Sequence, residues 1–543
     1  MPSNVIDLTG LTAKQGFIIE GDVAGDQASY SVSSAGDING DGFADLIVGA
    51  SGGDNGGTNA GEAYVIFGKA GATRTNIDFT SLAASDGFII QGDVAFDAAG
   101  FSVSSAGDIN DDGFADLIVG AARGDDGGNS AGEAYVIFGK AGATRANIDL
   151  TSLAASDGFI IQGDDAGDLA GRSVSSAGDI NGDGFAELIV SAPYGDNGDT
   201  DAGEAYVIFA KAGATRANID LTTLAASDGF IIQGDVTRDY TGASVSSAGD
   251  INGDGFADLI VGAANGDNGG YNAGEAYVIF GKAGATRTNI DLTSLAASDG
   301  FIIQGDVDYD RAGASVSSAG DINGDGFADL VVGAPGGDNG GYSAGEAYVI
   351  FGKAGATRAN IDLTSLAAND GFIIQGDAAY DVAGQSVSSA GDINGDGFAD
   401  LIVSAPYRDN GGANAGEAYV IFGKAGATRA NIDLTSLTGS DGFIIQGDVA
   451  YDFAGRSVAS AGDINGDGFA ELIVGARYGD NGGNNAGEAY VIYGSASFGS
   501  APVAVDDSLA AVKDQIATYA TFQLLRNDVS AFTLTVSAVS NAT

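Results

Sequence analysis

The chain has 543 residues, with 90 Gly and no Cys, His or Trp, so thiol and imidazole chemistry and a disulfide framework are excluded. Its 22 basic and 73 acidic residues give a formal net charge of -51, which excludes nucleic acid and anionic membrane surfaces as partners and favours cations. Because 44% of the residues are hydrophobic and only 17% are charged, we expect a folded protein rather than a disordered acidic one.

Targeting and membrane segments are not predicted. Gly or a charged residue interrupts every apolar run well before it could span a bilayer. The N-terminal sequence MPSNVIDLTG has no basic region followed by an apolar stretch, so we expect no N-terminal signal peptide.

In chain order, the stretch VIDLTGLTAKQGFIIEGD (residues 5–22) precedes GDINGDGFADLIVGA (residues 36–50), and the second motif then recurs at a spacing of 71 residues. Its first aspartate occurs seven times, at Asp37, Asp108, Asp179, Asp250, Asp321, Asp392 and Asp463. A repeat of this length and regularity specifies the architecture.

Each period contains four strand-like pieces, which in the second period are SVSSAGD (102–108), LIVGA (117–121), GEAYVIFG (132–139) and GFIIQGD (158–164). The last three are apolar runs, as expected when both faces of a sheet are covered. The first has small side chains that suit a crowded central axis. The sequence therefore predicts an all-β, seven-bladed β-propeller with four antiparallel strands per blade.

The ends of the repeat region predict ring closure. The N-terminal stretch copies a connection and a fourth strand, whereas the last repeat ends after its third strand at GEAYVIYG (487–494). We expect residues 17–20 to complete the last blade, so residues 1–496 form the propeller. An open solenoid is the alternative, but it would need atypical terminal repeats. The long connection KAGATRANIDLTSLAASD (140–157) is expected to wrap an outer blade edge and shield it.

The loop D-I-N-G-D-G-F-A-D supplies oxygen at alternate positions, including the carbonyl of its phenylalanine. Oxygen ligands with a glycine at position 6 are typical of Ca²⁺, and we predict up to seven Ca²⁺ ions, one per blade. The alternative is an Asx-rich turn with solvated acids. The predicted ligands are Asp37, Asn39, Asp41, Phe43, Asp45; Asp108, Asn110, Asp112, Phe114, Asp116; Asp179, Asn181, Asp183, Phe185, Glu187; Asp250, Asn252, Asp254, Phe256, Asp258; Asp321, Asn323, Asp325, Phe327, Asp329; Asp392, Asn394, Asp396, Phe398, Asp400; Asp463, Asn465, Asp467, Phe469 and Glu471.

Three positions depart from this pattern. Asp111 replaces glycine at position 4 of the second loop, and Glu187 and Glu471 replace aspartate at position 9. The longer glutamate side chain is expected to change the affinity of those two sites.

The unit AGxSVSSAGDINGDGFADLIVGA, followed by GEAYVIFG, resembles the FG-GAP repeat of integrin α-subunit propellers and their bacterial relatives. The resemblance extends over residues 1 to about 496. It implies that the acidic loop joins the first and second strands and binds Ca²⁺ on the lower face. It also implies that the opposite face meets protein ligands. The leading Phe-Gly of the motif is mostly Ala-Gly here, as at residues 99–100.

The loops on the face opposite the metal loops differ most among the repeats. One equivalent position is predicted to bind the partner, and it is held by Phe96, Arg238, Tyr309, Tyr380 and Tyr451, with Gly25 and Gly167 in the other repeats. Exposed aromatic residues and Arg are favoured in binding patches, although free drift at tolerant loop tips is the alternative.

Residues 497–543 are predicted to be a linker followed by part of a β-sandwich. The motifs PVAVDD and LLRND resemble the start of the cadherin-like or Ig-like tandem domains of bacterial surface proteins. The segment is too short to close a complete sandwich. Completion by another chain, and hence self-association through this segment, is an additional prediction.

These features together predict an extracellular or cell-surface adhesion or protein-interaction module without enzymatic activity. A multivalent lectin is the alternative, and a glycan-active enzyme is a third reading. The partner is expected to be a protein or a glycan. We predict no catalytic residues, because nearly all the acids belong to the repeat pattern.

Overall fold

The computed structural model describes residues 4–499, in which seven small sheets form the seven blades of an all-β propeller, as predicted. In every blade the first, second, third and fourth strands are neighbours in that order, and they are antiparallel. The predicted β-sandwich segment lies outside the described residues, except for the start of its linker at residues 497–499.

The strand bounds repeat closely from blade 1 to blade 7. The first strands are Ser31–Gly36, Ala99–Gly107, Val174–Gly178, Ser244–Gly249, Ser315–Gly320, Val387–Gly391 and Ser457–Gly462. The second strands are Asp45–Ala50, Asp116–Ala121, Glu187–Ala192, Asp258–Ala263, Asp329–Ala334, Asp400–Ala405 and Glu471–Ala476. The third strands are Glu62–Ile66, Glu133–Ile137, Glu204–Ile208, Glu275–Ile279, Glu346–Ile350, Glu417–Ile421 and Glu488–Ile492. The fourth strands are Gly87–Gln91, Gly158–Gln162, Gly229–Gln233, Gly300–Gln304, Gly371–Gln375, Gly442–Gln446 and Gly16–Glu20.

The first strands line the central axis, where their small side chains let neighbouring blades approach closely. Ser31 of blade 1 accepts a hydrogen bond of 3.1 Å on its Oγ from the backbone N–H of Val103 in blade 2. The equivalent bond joins every adjacent pair of blades, including blade 7 to blade 1. The ring is therefore closed at its centre.

The hydrophobic core is divided into seven clusters, each formed between two successive blades. Between blades 1 and 2, for example, Ile47 and Val65 of the first pack with Leu117 and Ile137 of the second. Every residue of the second and third strands is buried, which explains why their sequences are apolar runs rather than alternating patterns. Burying one such aliphatic side chain stabilises the fold by about 1.5–3 kcal/mol.

The N-terminal strand completes blade 7, as predicted. Gly16–Glu20 pairs antiparallel with Glu488–Ile492, with Phe17 opposite Val491. Phe17 and Ile19 are 1% exposed and belong to the cluster between blades 7 and 1. Both chain ends therefore contribute to one sheet.

The long connection between the third and fourth strands shields an outer edge, but it is the edge of the preceding blade. Ile148 and Asp149, from the connection of blade 2, pair in parallel with the fourth strand of blade 1. These short edge strands, the clasp strands, are Val5–Asp7, Ile77–Asp78, Ile148–Asp149, Ile219–Asp220, Ile290–Asp291, Ile361–Asp362 and Ile432–Asp433. Short 3-10 helices follow them at Leu8–Gly10, Phe79–Ser81, Leu150–Ser152, Leu221–Thr223, Leu292–Ser294, Leu363–Ser365 and Leu434–Ser436.

An arginine in each complete connection adds a second link to the preceding blade. The guanidinium carbon of Arg145 lies 4.8 Å from the ring centre of Phe88, and five other blade pairs repeat this cation–π contact. Against the fourth strand of blade 6, Phe498 stacks on Phe443 at 4.5 Å instead. The linker after the last repeat therefore packs on the fourth strand of blade 6, which also pairs with the N-terminal strand Val5–Asp7.

Candidate metal loops and the opposite face

The predicted metal ligands at positions 1 to 7 lie on the loops between the first and second strands, and those at position 9 begin the second strands, all at one end of the propeller. In blade 1, the Asp37 carboxylate accepts hydrogen bonds from the backbone N–H groups of Gly40, Asp41 and Gly42 at 2.7–3.1 Å. Asn39 Oδ1 accepts from Asp41 N at 2.9 Å. The loop is thus folded around its first aspartate, and Asp37 and Asn39 each present an oxygen to Asp41 N.

The acid at position 9 is the most constrained of the set. Asp45 is fully buried, and its two oxygens accept hydrogen bonds from Ile38 N at 3.0 Å and Gly68 N at 2.7 Å. Burial, with a smaller contribution from the charges of Asp41 and Asp37, nevertheless raises its pKa to about 7. A cation beside these acids would favour the ionised form of Asp45 and so oppose that rise.

The two loops with glutamate at position 9 use it differently. Glu187 Oε2 accepts from Ile180 N at 2.9 Å, as the aspartates do, but its Oε1 accepts from the side-chain amide of Asn181 at 2.7 Å. Glu471 makes the same pair of contacts with Ile464 N and Asn465. The longer side chain therefore engages the neighbouring predicted ligand, whereas both oxygens of Asp45 accept from backbone N–H groups.

The second loop departs from the others at position 4. Glycine at this position has a φ of 73–78° in six loops, and Asp111 adopts a φ of 64° here. A Cβ built on Gly40 would lie 2.4 Å from Cε1 of Phe114 in the next loop. In the second loop, the Oδ1 and Nδ2 atoms of the buried Asn110 both lack hydrogen-bond partners.

Neighbouring loops also contact one another around the ring. Gly40 lies against the Phe114 ring, and Ala115 N donates a hydrogen bond of 3.1 Å to the carbonyl of Asp37. Lys140 N donates another, of 2.9 Å, to the carbonyl of Ile38. An ion that fixes one loop would therefore also stabilise its contact with the next blade.

The donor set fits a hard divalent cation. The loop side chains offer carboxylate and amide oxygens only, because the chain has no Cys or His. The unpartnered side-chain oxygen of the buried Asn110 is an observation that a cation would account for. The bound ion would supply the positive charge that offsets the repulsion among the loop carboxylates.

The five predicted partner residues lie on the loops that join the fourth strand of one blade to the first strand of the next, at the opposite end. Phe96, Tyr309, Tyr380 and Tyr451 are 58–66% exposed. The Arg238 side chain is 71% exposed. All five have a φ of 69–78°, the left-handed region that disfavours bulky side chains. The equivalent Gly25 and Gly167 have φ values of 97° and 100°.

Two further tyrosines on this face were not among the predicted partner residues, and they lie in the loops between second and third strands. Tyr271 is 5.3 Å from Tyr309, and Tyr342 is 5.4 Å from Tyr380, between ring centres. Backbone hydrogen bonds from Tyr309 N to Tyr271 O, of 2.9 Å, and from Tyr380 N to Tyr342 O, of 3.0 Å, hold the paired loops together.

A group of three acids near this face was also missed. In blade 2 it comprises Asp93, Asp97 and the buried Glu133, each offering an oxygen within 4.8 Å of the others. The available signal was a glutamate at the start of every apolar third strand, EAYVI, with no basic residue nearby in the sequence.

Comparison with known families assigns the repeat. The FG-GAP repeat model matches seven segments that together cover half of the chain, and this chain belongs to the FG-GAP repeat family. The matched residues are 29–66, 99–137, 170–208, 241–279, 312–350, 383–421 and 454–492.

Curated relatives include enzymes and integrins. Phosphatidylinositol-glycan-specific phospholipase D of Dictyostelium discoideum is 28% identical over 295 residues, which cover 51% of this chain and 28% of that protein. Integrin alpha-PS5 of Drosophila melanogaster is 34% identical over 178 residues, covering 33% of this chain and 16% of that protein. Integrin alpha-V of Gallus gallus is 28% identical over 272 residues, covering 48% and 22%. The chain thus spans less than a third of the length of these relatives.

The prediction that this chain is not an enzyme is contradicted by these relatives, since several of them are named as a phospholipase D. The prediction rested on the fact that nearly all the acids belong to the repeat pattern. It fails because a protein that is an enzyme by name is similar to this chain over 295 residues. The resemblance to integrin alpha subunits is consistent with a protein-interaction module.

Within residues 4–499, no helix is both long enough and apolar enough to cross a bilayer.

Proposed function

We propose that the chain is a calcium-stabilised propeller that acts as an extracellular adhesion module, binding a protein partner through the face opposite the metal loops. One observation carries the proposal: the exposed large hydrophobic side chains of the described residues all lie in the loops of that face. They are Val23, Val94, Phe96, Val236, Tyr271, Val307, Tyr309, Tyr342, Tyr380, Tyr407, Val449 and Tyr451. Such segregation marks interaction surfaces, because scattered exposure would place them on every side.

The aromatic residues are grouped on the face rather than spread evenly around it. The pairs Tyr271–Tyr309 and Tyr342–Tyr380 belong to adjacent blades. A cleft of about 370 Å³ is lined by Tyr309 of one pair and Tyr342 of the other, together with Arg311, Pro335 and Val382. Rigid aromatic side chains around a cleft are the features that contribute most to binding energy in protein interfaces.

Backbone strain at the partner positions also supports a binding role. A non-glycine residue in the left-handed region costs about 1–2 kcal/mol, and Gly25 and Gly167 show that glycine is compatible with this position. Five repeats nevertheless carry an aromatic side chain or Arg there. Retaining a strained, exposed side chain is expected where that side chain has a function.

The net charge and the metal loops support a basic partner and an extracellular location. The net charge of -51 favours a partner surface rich in Lys and Arg, whose cations also pack well against tyrosine faces. Extracellular Ca²⁺ modules bind at about 10⁻⁴ to 10⁻³ M, so such sites are filled outside the cell. A site at 100 times its dissociation constant gains about 2.7 kcal/mol of stability, which would serve a protein without disulfides.

Two experiments test the proposal. The first measures thermal unfolding and bound metal for the full chain in excess Ca²⁺ and after chelation. A fall in melting temperature on chelation supports calcium stabilisation, and an unchanged melting temperature contradicts it.

The second screens the full chain against arrays of extracellular proteins and glycans. We expect protein binding that is lost in the triple variant Tyr309→Gly, Tyr380→Gly, Tyr451→Gly. The control variant Lys140→Ala, Lys211→Ala, Lys282→Ala changes exposed residues of the clasp connections and is expected to keep that binding. Binding to glycans alone, or protein binding that the tyrosine variant retains, would overturn the assignment of this face.

A further inference from the structure

Beneath the aromatic loops, each blade brings together three carboxylates that lie far from the metal loops. Two aspartates come from the connection entering the blade, and a glutamate begins its third strand. Five of these Asp-Asp-Glu clusters are Asp22, Asp26, Glu62; Asp93, Asp97, Glu133; Asp164, Asp168, Glu204; Asp235, Asp239, Glu275; and Asp448, Asp452, Glu488, each with one oxygen per residue within 4.8 Å of the others. Asp306, Asp310 and Glu346 are their equivalents in blade 5, where Tyr348 Oη bonds both Asp306 and Glu346.

These clusters contain buried oxygen atoms that receive no hydrogen bond. In blade 2, Glu133 is 0% exposed and neither of its oxygens has a partner. The single phenolic proton of Tyr135 is donated to Asp93 Oδ2 at 2.6 Å. In the other blades an asparagine of the preceding loop donates a hydrogen bond to the glutamate, as Asn55 does to Glu62. The equivalent residue in blade 2 is Asp126, which adds a fourth carboxylate to the cluster. The buried glutamate is therefore directed into a cluster of carboxylates whose nearby donor, the Tyr135 hydroxyl, is already used by Asp93.

In blade 6 the equivalent carboxylates form ion pairs with an arginine. Glycine follows the second strand at one equivalent position in six blades, and Arg408 replaces it in blade 6. Its Nη2 lies 2.8 Å from Asp377 Oδ2, its Nη1 3.0 Å from Asp381 Oδ2, and its Nε 3.5 Å from Glu417 Oε2. Within residues 4–499, ion pairs to this set of carboxylates are formed only in blade 6. One blade thus carries its own cation, and the other six present the same carboxylates without one.

We propose that the six Asp-Asp-Glu clusters of blades 1–5 and 7 each bind a hard divalent cation, with Ca²⁺ as the probe of choice, and that Arg408 takes the place of this ion in blade 6. Three carboxylates with no nitrogen or sulfur ligand are the chemistry that Ca²⁺ and Mg²⁺ prefer. This second ring of sites is on the opposite side of the propeller from the metal loops.

The position of the clusters links the ion to the aromatic face. Asp97 directly follows Phe96, and Asp310 directly follows Tyr309. An ion held by such an aspartate and by the buried glutamate would tie the aromatic loop to the third strand. Burial also raises the pKa of Asp97 to about 7 and of Glu133 to about 8, so protons are the competing occupants at neutral pH.

Tyrosine-sensitised Tb³⁺ luminescence of the full chain distinguishes the two rings. Tyr135 contacts its cluster directly, whereas the metal loop of the same blade carries Phe114 and no tyrosine. Arg408→Gly should create a seventh site and raise the sensitised emission by about one sixth, with one more Ca²⁺ bound in equilibrium dialysis. Arg408→Lys keeps the positive charge and should give no increase.

Loss variants complete the test. Glu133→Gln should remove one bound Ca²⁺, whereas Glu417→Gln, the same change beside Arg408, should leave the count unchanged. If Arg408→Gly gains no ion, or if a cooperatively folded Glu133→Gln variant binds as many ions as the parent, the proposal is overturned. Unchanged metal counts together with proton uptake by the Arg408→Gly variant would identify the clusters as proton-binding sites instead. Because Asp41→Asn reports on a metal loop separately, failure of either ring of sites is distinguishable from failure of the other.

Discussion

The backbone N–H of Val32 donates a hydrogen bond of 3.1 Å to the hydroxyl of Ser457, although 425 residues separate them in the chain. The bond joins the first strands of blades 1 and 7 and is the same bond that joins every other adjacent pair. The contact between blades 7 and 1 is therefore built like the six contacts between the other adjacent blades. Its distinguishing feature is that the fourth strand of blade 7 comes from the opposite end of the chain.

This closure predicts equal sensitivity of a terminal and an internal strand to the same substitution. Phe17 and Phe88 hold equivalent, 1% exposed positions in the fourth strands of blades 7 and 1. We expect Phe17→Ala and Phe88→Ala each to lower the free energy of unfolding by about 3–5 kcal/mol. Chemical denaturation of both variants checks this. A much smaller loss for Phe17→Ala would show that the N-terminal strand is dispensable and the ring is open.

Removing one loop carboxylate should lower stability only when calcium is present. Asp41→Asn keeps the acceptor for Phe43 N but removes one charge from the loop. We expect one bound ion fewer and a loss of about 1–3 kcal/mol in excess Ca²⁺. In metal-free protein the same change should be neutral or slightly stabilising, because repulsion among the carboxylates decreases. Calorimetry under both conditions makes the comparison, and equal losses in both would contradict a metal-binding role.

The pH dependence of stability should change with metal. Burial raises the folded-state pKa of Asp45 from 3.8 to about 7 and that of Glu471 from 4.5 to about 8. In metal-free protein the folded chain then keeps protons that the unfolded chain has lost, so the stability linked to these two groups is greatest below their unfolded-state pKa values and is lost as the pH rises to about 7–8, where the loss levels off. With Ca²⁺ bound, the ionised forms are stabilised and this fall should disappear. Melting temperatures from about pH 5 to about pH 8 test both curves, and a metal-free protein that grows more stable over this range would contradict the prediction.

The aromatic face predicts a separation of stability from binding. Tyr309→Gly and Tyr380→Gly relieve a left-handed backbone and also increase the entropy of the unfolded chain, so stability should change by less than about 1 kcal/mol. Partner binding should nevertheless fall by at least about tenfold, or 1.4 kcal/mol. Paired measurements of melting temperature and affinity check this prediction. A large loss of stability would show that the side chains serve the fold.

The second metal loop should gain stability when its unusual residue is removed. Asp111→Gly relieves a φ of 64° and removes a Cβ from the position where other loops contact the phenylalanine of the next loop. We expect a gain of about 1 kcal/mol. The reverse change in the next blade, Gly182→Asp, should destabilise by at least as much, because its Cβ would lie 2.4 Å from Phe256 Cε1. Denaturation of both variants measures this, and effects of the same sign would refute the explanation.

Much of the architecture was predictable because its determinants are contiguous in sequence. The 71-residue spacing, the strand order and the use of residues 17–20 to close blade 7 follow from one repeated unit and its phase at the two chain ends. The sequence predicted that the long connection shields an outer blade edge, but not which blade it shields. The pairing of Ile148 with Ile90 of the preceding blade depends on how the blades pack.

The metal-loop residues could be named from sequence because they lie within nine consecutive positions, such as Asp37 to Asp45. Whether these loops bind Ca²⁺ remains a prediction. The Asp-Asp-Glu clusters could not be named in this way. Asp97 and Glu133 are 36 positions apart, and they meet because the connection entering the blade and the start of its third strand lie at the same end of the propeller.

By itself, then, the sequence determined the repeat, the number of blades, the ring closure and the oxygen-rich loops, since each follows from neighbouring residues or a fixed period. Only the tertiary structure decided which blade each clasp covers, how the tyrosines pair, and that Arg408 lies among three carboxylates. The physical reason is that the pairing of strands and the packing of blades set these distances, bringing together side chains whose separation along the chain carries no information about their proximity.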